Sequence, residues 1–363
     1  MKIAVACGGT GGHIFPGLAT AQALMQRGHD VTLWLAGKDV ENEAVRGWPG
    51  RVITVPAQGF PSGLSPKALV TAVRLLRAIG EVKTAMRAER PEVVLAMGSY
   101  ASVGPVGAAI RLGIPVVLHE SNVIPGRAVR LLARWARVVG TCFDETRFYL
   151  RRRRLEVTGM PLRNELVVAA GQAREPGPVP RLLVMGGSRG AHRLNEITMA
   201  CFGRLAADGL RFSVTHLTGE ADEELVRTAY AASGIDADVQ AFTRDMGRIY
   251  LATDLAICRA GAATCAELSV FGIPALLVPY PHAIHDHQTA NARAMEKTGA
   301  ADWVPESDIT EAWLGSYIRD LVRGEERRRR MAMAARARST GDGAERLADL
   351  VERAARGALD ARA

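Results

Sequence analysis

The 363-residue chain is poor in aromatic residues (5%), contains no Cys-x-x-Cys pair and has no apolar run long enough to cross a membrane. Each absence closes off a class of protein. The cysteines (Cys7, Cys142, Cys201, Cys258 and Cys265) are odd in number and scattered, which supplies neither a disulfide framework nor a zinc finger. Most sit in or beside apolar runs, where a free thiol behaves as a small hydrophobe in a reducing compartment. A membrane-spanning helix needs about 20 apolar residues, and the best stretch is interrupted by Arg111 and Pro115. The apolar run after Lys2 ends at Cys7, too short for the core of a signal peptide. No RNP-type aromatic motif is present, so no nucleic-acid partner is expected. The glycine turns lack the Lys-Ser/Thr of a phosphate-binding P-loop and the spacing of a dinucleotide fingerprint. No acid stands squarely at the end of the second strand. These absences argue against an NTPase or a dehydrogenase.

What is present is a globular balance of 48% hydrophobic and 23% charged residues, with a net charge of +8. That charge suits anionic lipid or a phosphorylated substrate. Short Val/Ile/Leu runs alternate with helical stretches, the pattern of parallel strands buried on both faces. In the first half the strands are expected at 3–7, 31–36, 52–56, 93–97, 115–119 and 138–142. In the second they are expected at 182–185, 213–217, 239–242, 255–258 and 275–278, and the chain beyond Asp308 reads as helical, with 325–330 a solvated charged turn. The expected fold class is α/β, two tandem Rossmann-like doubly wound domains facing a cleft. The boundaries fall at 1–165 for an N-terminal domain, 166–180 for a linker and 181–340 for a C-terminal domain. A final helix, 341–363, is expected to pack back on the N-terminal domain. In such sheets ligands bind beyond the carboxyl ends of the strands.

Glycine turns follow three of the strands: Gly8-Gly9-Thr10-Gly11-Gly12, Gly98-Ser99-Tyr100-Ala101-Ser102 and Gly186-Gly187-Ser188-Arg189-Gly190. Such turns let backbone approach a ligand, and the following helix offers unpaired N–H groups to an anion. His13 stands at the mouth of the first helix, where it is either a base or a capping residue. Glu120 and Asn122, after the strand at 115–119, either face the site or cap the next helix. In the run Cys258–Glu267 a strand ends, small residues leave space, and a helix opens with Thr264 and Glu267 expected in its first turn. Glu267 reads either as an acceptor of a ribose diol or as an acid complementing the helix dipole.

Six segments occur in one order along nearly the whole chain: the first glycine loop through Ala19, His119-Glu120-Ser121-Asn122, Gly159–Arg163, Gly186–Ala191, Gly261–Glu267 and Asp286–Ala292. Together they closely resemble the MurG family of peptidoglycan N-acetylglucosaminyltransferases. The resemblance implies the GT-B fold, UDP-GlcNAc as donor and lipid I (undecaprenyl-diphosphate-MurNAc-pentapeptide) as acceptor. Lipid II would be the product, formed by inversion without metal or other cofactor. It implies that Thr10, Gly11 and Gly12 line the donor sugar and phosphates, with His13 the base and Glu120 a second candidate for proton transfer. Asn122 would contact GlcNAc, Arg163 and Ser188 other parts of the donor, and Thr243 the uracil. Gly261, Ala262, Ala263, Thr264, Cys265 and Ala266 would lie along the nucleotide, Glu267 would hold the ribose and Gln288 the GlcNAc hydroxyls. It also implies a peripheral enzyme on the cytoplasmic face of the bacterial membrane, bound to anionic lipid and associated with other cell-wall synthesis proteins. The long segment Lys67–Arg90, with surplus apolar residues Val70 and Leu75 among bases, is the candidate lipid contact, with Arg151–Arg154 beside it.

Two features could suggest a metal instead. The loop His282, His285, Asp286 and His287 departs from the family pattern in its histidines, and Asp236-Ala237-Asp238 resembles the D-x-D of metal-dependent transferases. Both read as surface features, the second because it precedes its strand. The rival readings are a glycolipid glycosyltransferase, a UDP-GlcNAc 2-epimerase and a non-catalytic sugar-nucleotide sensor.

Overall fold

The computed structural model describes all residues except 41–42, 56–78, 174–176, 188–189, 339–340 and 360–363. The chain divides into two compact units, Met1–Arg163 with Thr340–Ala363, and Asn164–Ser339.

Unit 1 contains β1 (Lys2–Ala6), β2 (Asp30–Ala36), β3 (Arg51–Val55), β4 (Val93–Ala96), β5 (Val116–Glu120), β6 (Val138–Thr141) and β7 (Leu155–Val157). They form one parallel sheet in the order β3-β2-β1-β4-β5-β6-β7. β1, β4 and β5 are buried over nearly their whole length, as Val/Ile/Leu runs covered on both faces must be. β7 was not expected; it is three residues long and half-exposed, so its sequence carries little strand signal. Of the apolar positions expected on the helix 67–90, Ile79, Val82 and Met86 are buried, which is core packing. Leu69, Val70, Val73, Leu75 and Leu76 lie outside the described residues.

The last helix, Gly343–Ala355, belongs to unit 1. Its stripe Leu347, Leu350, Val351 and Ala354 joins the core formed by β1, β2 and the helix Gly11–Gln26. Arg27 fastens the seam, donating to Asp349 at 2.6 Å and to Glu352 at 3.1 Å and pairing with Glu345. His29 lies 3.1 Å from Glu352.

Unit 2 contains β8 (Arg181–Met185), β9 (Ser213–Leu217), β10 (Asp236–Gln240), β11 (Leu255–Cys258), β12 (Ala275–Leu277) and β13 (Ala301–Trp303). They pair in parallel in the order β10-β9-β8-β11-β12-β13. Here several expectations need correction. β10 begins at Asp236, not Val239, so the D-x-D lies inside its strand; it is an edge strand with one solvated side, where acids are tolerated. It still occupies the amino end, away from the edge where ligands bind. The stretch 166–170, read as the start of a linker, lies in the helix Asn164–Ala170, which packs on the helices Met246–Leu251 and Ala262–Phe271. Residues 325–330 are the first turns of the helix Glu325–Arg338 rather than a turn. β13 went unread because three residues give no periodic signal.

Candidate active site

In unit 1 the chain leaves β1 through Cys7 and turns at Gly8 and Gly9, whose φ angles of 144° and 95° suit only glycine. A Cβ on Gly8 would also stand 2.5 Å from Asp39 Oδ2. Asp39 ends the short turn Gly37–Asp39 after β2, is buried, and accepts the Gly9 N–H at 2.7 Å. An acid therefore does follow the second strand at short distance, and its carboxylate fastens the first glycine turn. The shift of a few residues hid it from the sequence pattern.

Thr10 precedes the helix Gly11–Gln26 without capping it, so the helix opens with uncapped Gly11 and Gly12. The Thr10 hydroxyl lies instead 3.0 Å from His13 Nδ1. With Nδ1–H donating to that oxygen, Nε2 keeps the bare lone pair that a base needs. The ring is half-buried, and desolvation lowers its pKa to about 4, so the imidazole is neutral at physiological pH. The Arg163 guanidinium lies over the Phe15 ring at 5.2 Å, which brings it to the opening turns of the same helix.

Glu120 ends β5 and is buried. Its Oε1 accepts the Asn122 N–H at 2.9 Å and the Asn122 side-chain N–H at 3.3 Å, and its Oε2 accepts the Gly126 N–H at 2.9 Å. Burial raises its pKa to about 7, against the pull of those N–H bonds. The helix cap here is Gly126, not Asn122. Glu120 shapes the loop that leads to the helix. His119, fully buried beside it, donates from Nε2 to Gly159 O at 3.2 Å. Its Nδ1 and the Ser99 hydroxyl of the second glycine turn are both buried without a hydrogen-bond partner among the described residues. No sequence signal singled out Asp39; Ser99 and His119 stand in the second glycine turn and the His119–Asn122 segment, but neither carried a role of its own.

In unit 2 the turn after β8 and the turn after β11 stand on neighbouring strands, where the direction of the strand order reverses. Gly190 has φ 73°, and a Cβ there would lie 2.2 Å from Thr218 O. Ser188, the residue of this turn expected at the donor, lies outside the described residues. Gly261 is the N-cap of the helix Ala262–Phe271 and no side chain caps it, so its opening N–H groups stay available to an anion. Ala263, Thr264 and Ala266 are half-buried on its accessible side. Ala262 and Cys265 turn into the core, which leaves only backbone at those two expected ligand positions.

Glu267 falls in the second turn, since the first contains no acid, so the dipole-capping reading is overturned. The buried Tyr250 hydroxyl donates to Glu267 Oε2 at 2.7 Å, which aims the carboxylate. Gln288 Oε1 accepts the N–H groups of Ala260 at 3.2 Å and Tyr280 at 2.9 Å, so the side chain that was expected at the sugar also ties together the loops after β11 and β12. Two N–H donors fix which end of the amide is oxygen. The Thr243 hydroxyl accepts the Asp245 N–H at 3.2 Å next to exposed Phe242. Arg259, unremarked in the sequence, is buried, donates to Val278 O and Pro279 O, and pairs with Glu306. A cavity of about 310 Å³ opens nearby, lined in part by Arg193, Thr289, Glu306 and Ser307. Among the described residues no group of three or more His, Cys, Asp or Glu side chains is gathered as a metal site. His287 Nδ1 is taken by Ile284 O at 2.8 Å and Asp286 Oδ1 by the Thr289 hydroxyl at 2.6 Å.

Two doubly wound units, each with an uncapped helix mouth at its glycine turn, are the frame of a sugar-nucleotide transferase. Residues 3–141 match the Glycosyltransferase family 28 N-terminal domain and residues 181–349 the Glycosyltransferase family 28 C-terminal domain. The chain is a family 28 glycosyltransferase of the GT-B fold. A UDP-N-acetylglucosamine--N-acetylmuramyl-(pentapeptide) pyrophosphoryl-undecaprenol N-acetylglucosamine transferase of Aeromonas hydrophila is 39% identical over 98% of each chain. The protein of the same name from Hahella chejuensis is 41% identical over 92% of each. The crystal structure of Acinetobacter baumannii MurG superimposes with a TM-score of 0.81 at 29% identity, over 97% of this chain and 99% of that one. Within family 28 the chain belongs to the MurG N-acetylglucosaminyltransferases.

Proposed function

We propose that the chain transfers GlcNAc from UDP-GlcNAc to the lipid-linked N-acetylmuramyl-pentapeptide, lipid I, giving lipid II by direct inverting displacement. The observation that carries the donor side is the uncapped mouth of the helix Ala262–Phe271 followed, one turn on, by Glu267 held at 2.7 Å by Tyr250. Open N–H groups and the helix dipole suit a diphosphate, and a carboxylate can accept both hydroxyls of a ribose. The acceptor oxygen attacks the anomeric carbon of GlcNAc, the bond to UDP breaks, and UDP leaves as an anion. His13 Nε2 takes the acceptor proton. Glu120 sets the loop to Gly126 and with it Asn122. The helix mouths supply the positive potential that the departing diphosphate needs, so the reading requires no metal. Thr10, Gly11, Gly12 and Arg163 then serve the substrates in unit 1; Thr243, Ala263, Thr264, Ala266 and Gln288 serve the donor in unit 2.

The acceptor's lipid also calls for a membrane-facing surface. No described helix is long and apolar enough to cross a membrane. Unit 1 exposes Trp135, Phe148 and Tyr149 among Arg134, Arg147 and Arg151–Arg153. The Arg134 guanidinium lies over the Trp135 ring at 4.9 Å. Aromatic side chains among arginines suit the headgroup region of an anionic leaflet, here the cytoplasmic one. They make the contact peripheral.

Transfer of labelled GlcNAc from UDP-GlcNAc to a short-chain lipid I analogue, with EDTA present, tests the reading. Retained transfer supports acceptor and metal independence together. UDP-GlcNAc turnover without acceptor, or no transfer despite donor binding, overturns the assignment in favour of an epimerase or a glycolipid transferase. Glu267→Ala should raise the UDP dissociation constant by about 10- to 100-fold, the loss expected from one or two charge-assisted hydrogen bonds. An unchanged constant by titration calorimetry removes Glu267 from the donor site.

A further inference from the structure

The two peptides that lead from β11 into the helix mouth of unit 2 are gripped by one face of one helix. Gln288 and Asn291 stand three residues apart on the helix His287–Lys297, so their side chains leave it as neighbours. Gln288 Oε1 accepts the Ala260 N–H at 3.2 Å, which belongs to the peptide Arg259–Ala260. Asn291 Nδ2 donates to Ala260 O at 3.1 Å, which belongs to the peptide Ala260–Gly261. Arg259 anchors the start of the first peptide by donating to Val278 O and Pro279 O. The transfer mechanism uses Gln288 and makes no use of Asn291.

Asn291 and Ala260 are both fully buried. Asparagine forms helix less readily than alanine or leucine, and a buried amide is costly unless it is bonded. This one is spent on a backbone carbonyl just ahead of the donor helix. A peptide group is planar and trans, so its C=O and N–H point in opposite directions. By holding Ala260 O, Asn291 turns the Gly261 N–H to the opposite side. Gly261 is the extended N-cap (φ −64°, ψ 143°) of the helix Ala262–Phe271, and no side chain caps that helix. The direction of its open N–H groups therefore depends on how the Ala260–Gly261 plane is set. Ala260, Gly261, Ala262 and Ala263 carry no polar side chain that could set it. The setting comes from the neighbouring helix.

We propose that Asn291 is a positioning residue for the donor diphosphate, orienting the Ala260–Gly261 peptide and with it the mouth of the helix Ala262–Phe271. The role rests on the reading of that mouth as the diphosphate site. Gln288 and Asn291 hold consecutive peptides, so the side chain assigned to the sugar and the one that sets the diphosphate mouth act on the same short turn.

The test compares UDP with uridine as inhibitors competing with UDP-GlcNAc, lipid I analogue being saturating and thermal midpoints recorded. The ratio of their inhibition constants isolates what the diphosphate contributes. Asn291→Leu keeps the bulk of the side chain and removes the donor. It should weaken UDP by about 10-fold, the worth of one hydrogen bond lost in full, and leave uridine as in wild type. Asn291→Ala, with the residue a helix prefers, gives the same comparison if the leucine does not pack. Gln288→Ala should shrink the ratio in the same direction, and the double variant should fall short of the product of the two single effects. A lowered thermal midpoint with the wild-type ratio, or equal weakening of UDP and uridine, would reduce Asn291 to a structural role and overturn the proposal. A wild-type ratio near one would instead overturn the diphosphate reading of the mouth, an outcome visible before any variant is compared.

Discussion

His13→Ala should lower turnover by about 100- to 10,000-fold, the range that a positioned base contributes, while UDP binding survives. The substitution removes the acceptor of the proton and leaves the turn fastened by Asp39 and the helix Gly11–Gln26 intact. The pH profile separates the two candidates for proton transfer. His13 has its pKa lowered to about 4, so as base it is deprotonated at all higher pH and lost only as pH falls through that value. Glu120 has its pKa raised to about 7, so as base it would lose activity as pH falls through neutrality. With His13 as base, kcat/KM for the acceptor at saturating donor is flat from pH 7 down to pH 5. A fall below pH 7 that survives in His13→Ala transfers the role to Glu120.

A chain ending before Gly343 should fail to fold unit 1. Leu347, Leu350 and Val351 are fully buried in its core, and each such side chain stabilises by about 1.5–3 kcal/mol. Their sum approaches the whole stability of an ordinary domain, about 5–15 kcal/mol. The ion pairs from Arg27 are half-exposed and add little by comparison. The milder Leu350→Ala should cost about 2–5 kcal/mol in denaturant unfolding. A truncated chain that stays soluble and unfolds at the wild-type midpoint would show that the helix is an appendage.

Much of this enzyme was legible along the chain. Strands such as Ser213–Leu217 and Leu255–Cys258 fall where their apolar runs stand, because a parallel strand buried on both faces leaves a continuous signature. The glycine turns and the Gly261–Glu267 run were readable for a similar reason: a backbone that must approach an anion tolerates few residue types. β7 and β13 escaped because three residues give no periodicity, and β10 was misplaced because an edge strand can carry acids. The helix Asn164–Ala170 was missed because it owes its place to packing against the helices 246–251 and 262–271, contacts that lie outside its own sequence.

The candidate site divides the same way. Sequence by itself determined the local chemistry: which turns are glycine, that His13 follows one of them, and that a carboxylate follows Gly261 within a short helix. Only the tertiary structure decided what those groups can do. It set the neutral imidazole of His13 through desolvation, with Thr10 beside it, and gave the Glu120 carboxylate the N–H groups that shape its loop. It aimed Glu267 through Tyr250 and gave Asn291 to the peptide before Gly261. It also brought the last helix onto Arg27 across 318 residues of chain. Local sequence sets backbone preference within a few residues, whereas protonation state, hydrogen-bond direction and burial depend on neighbours that only folding supplies.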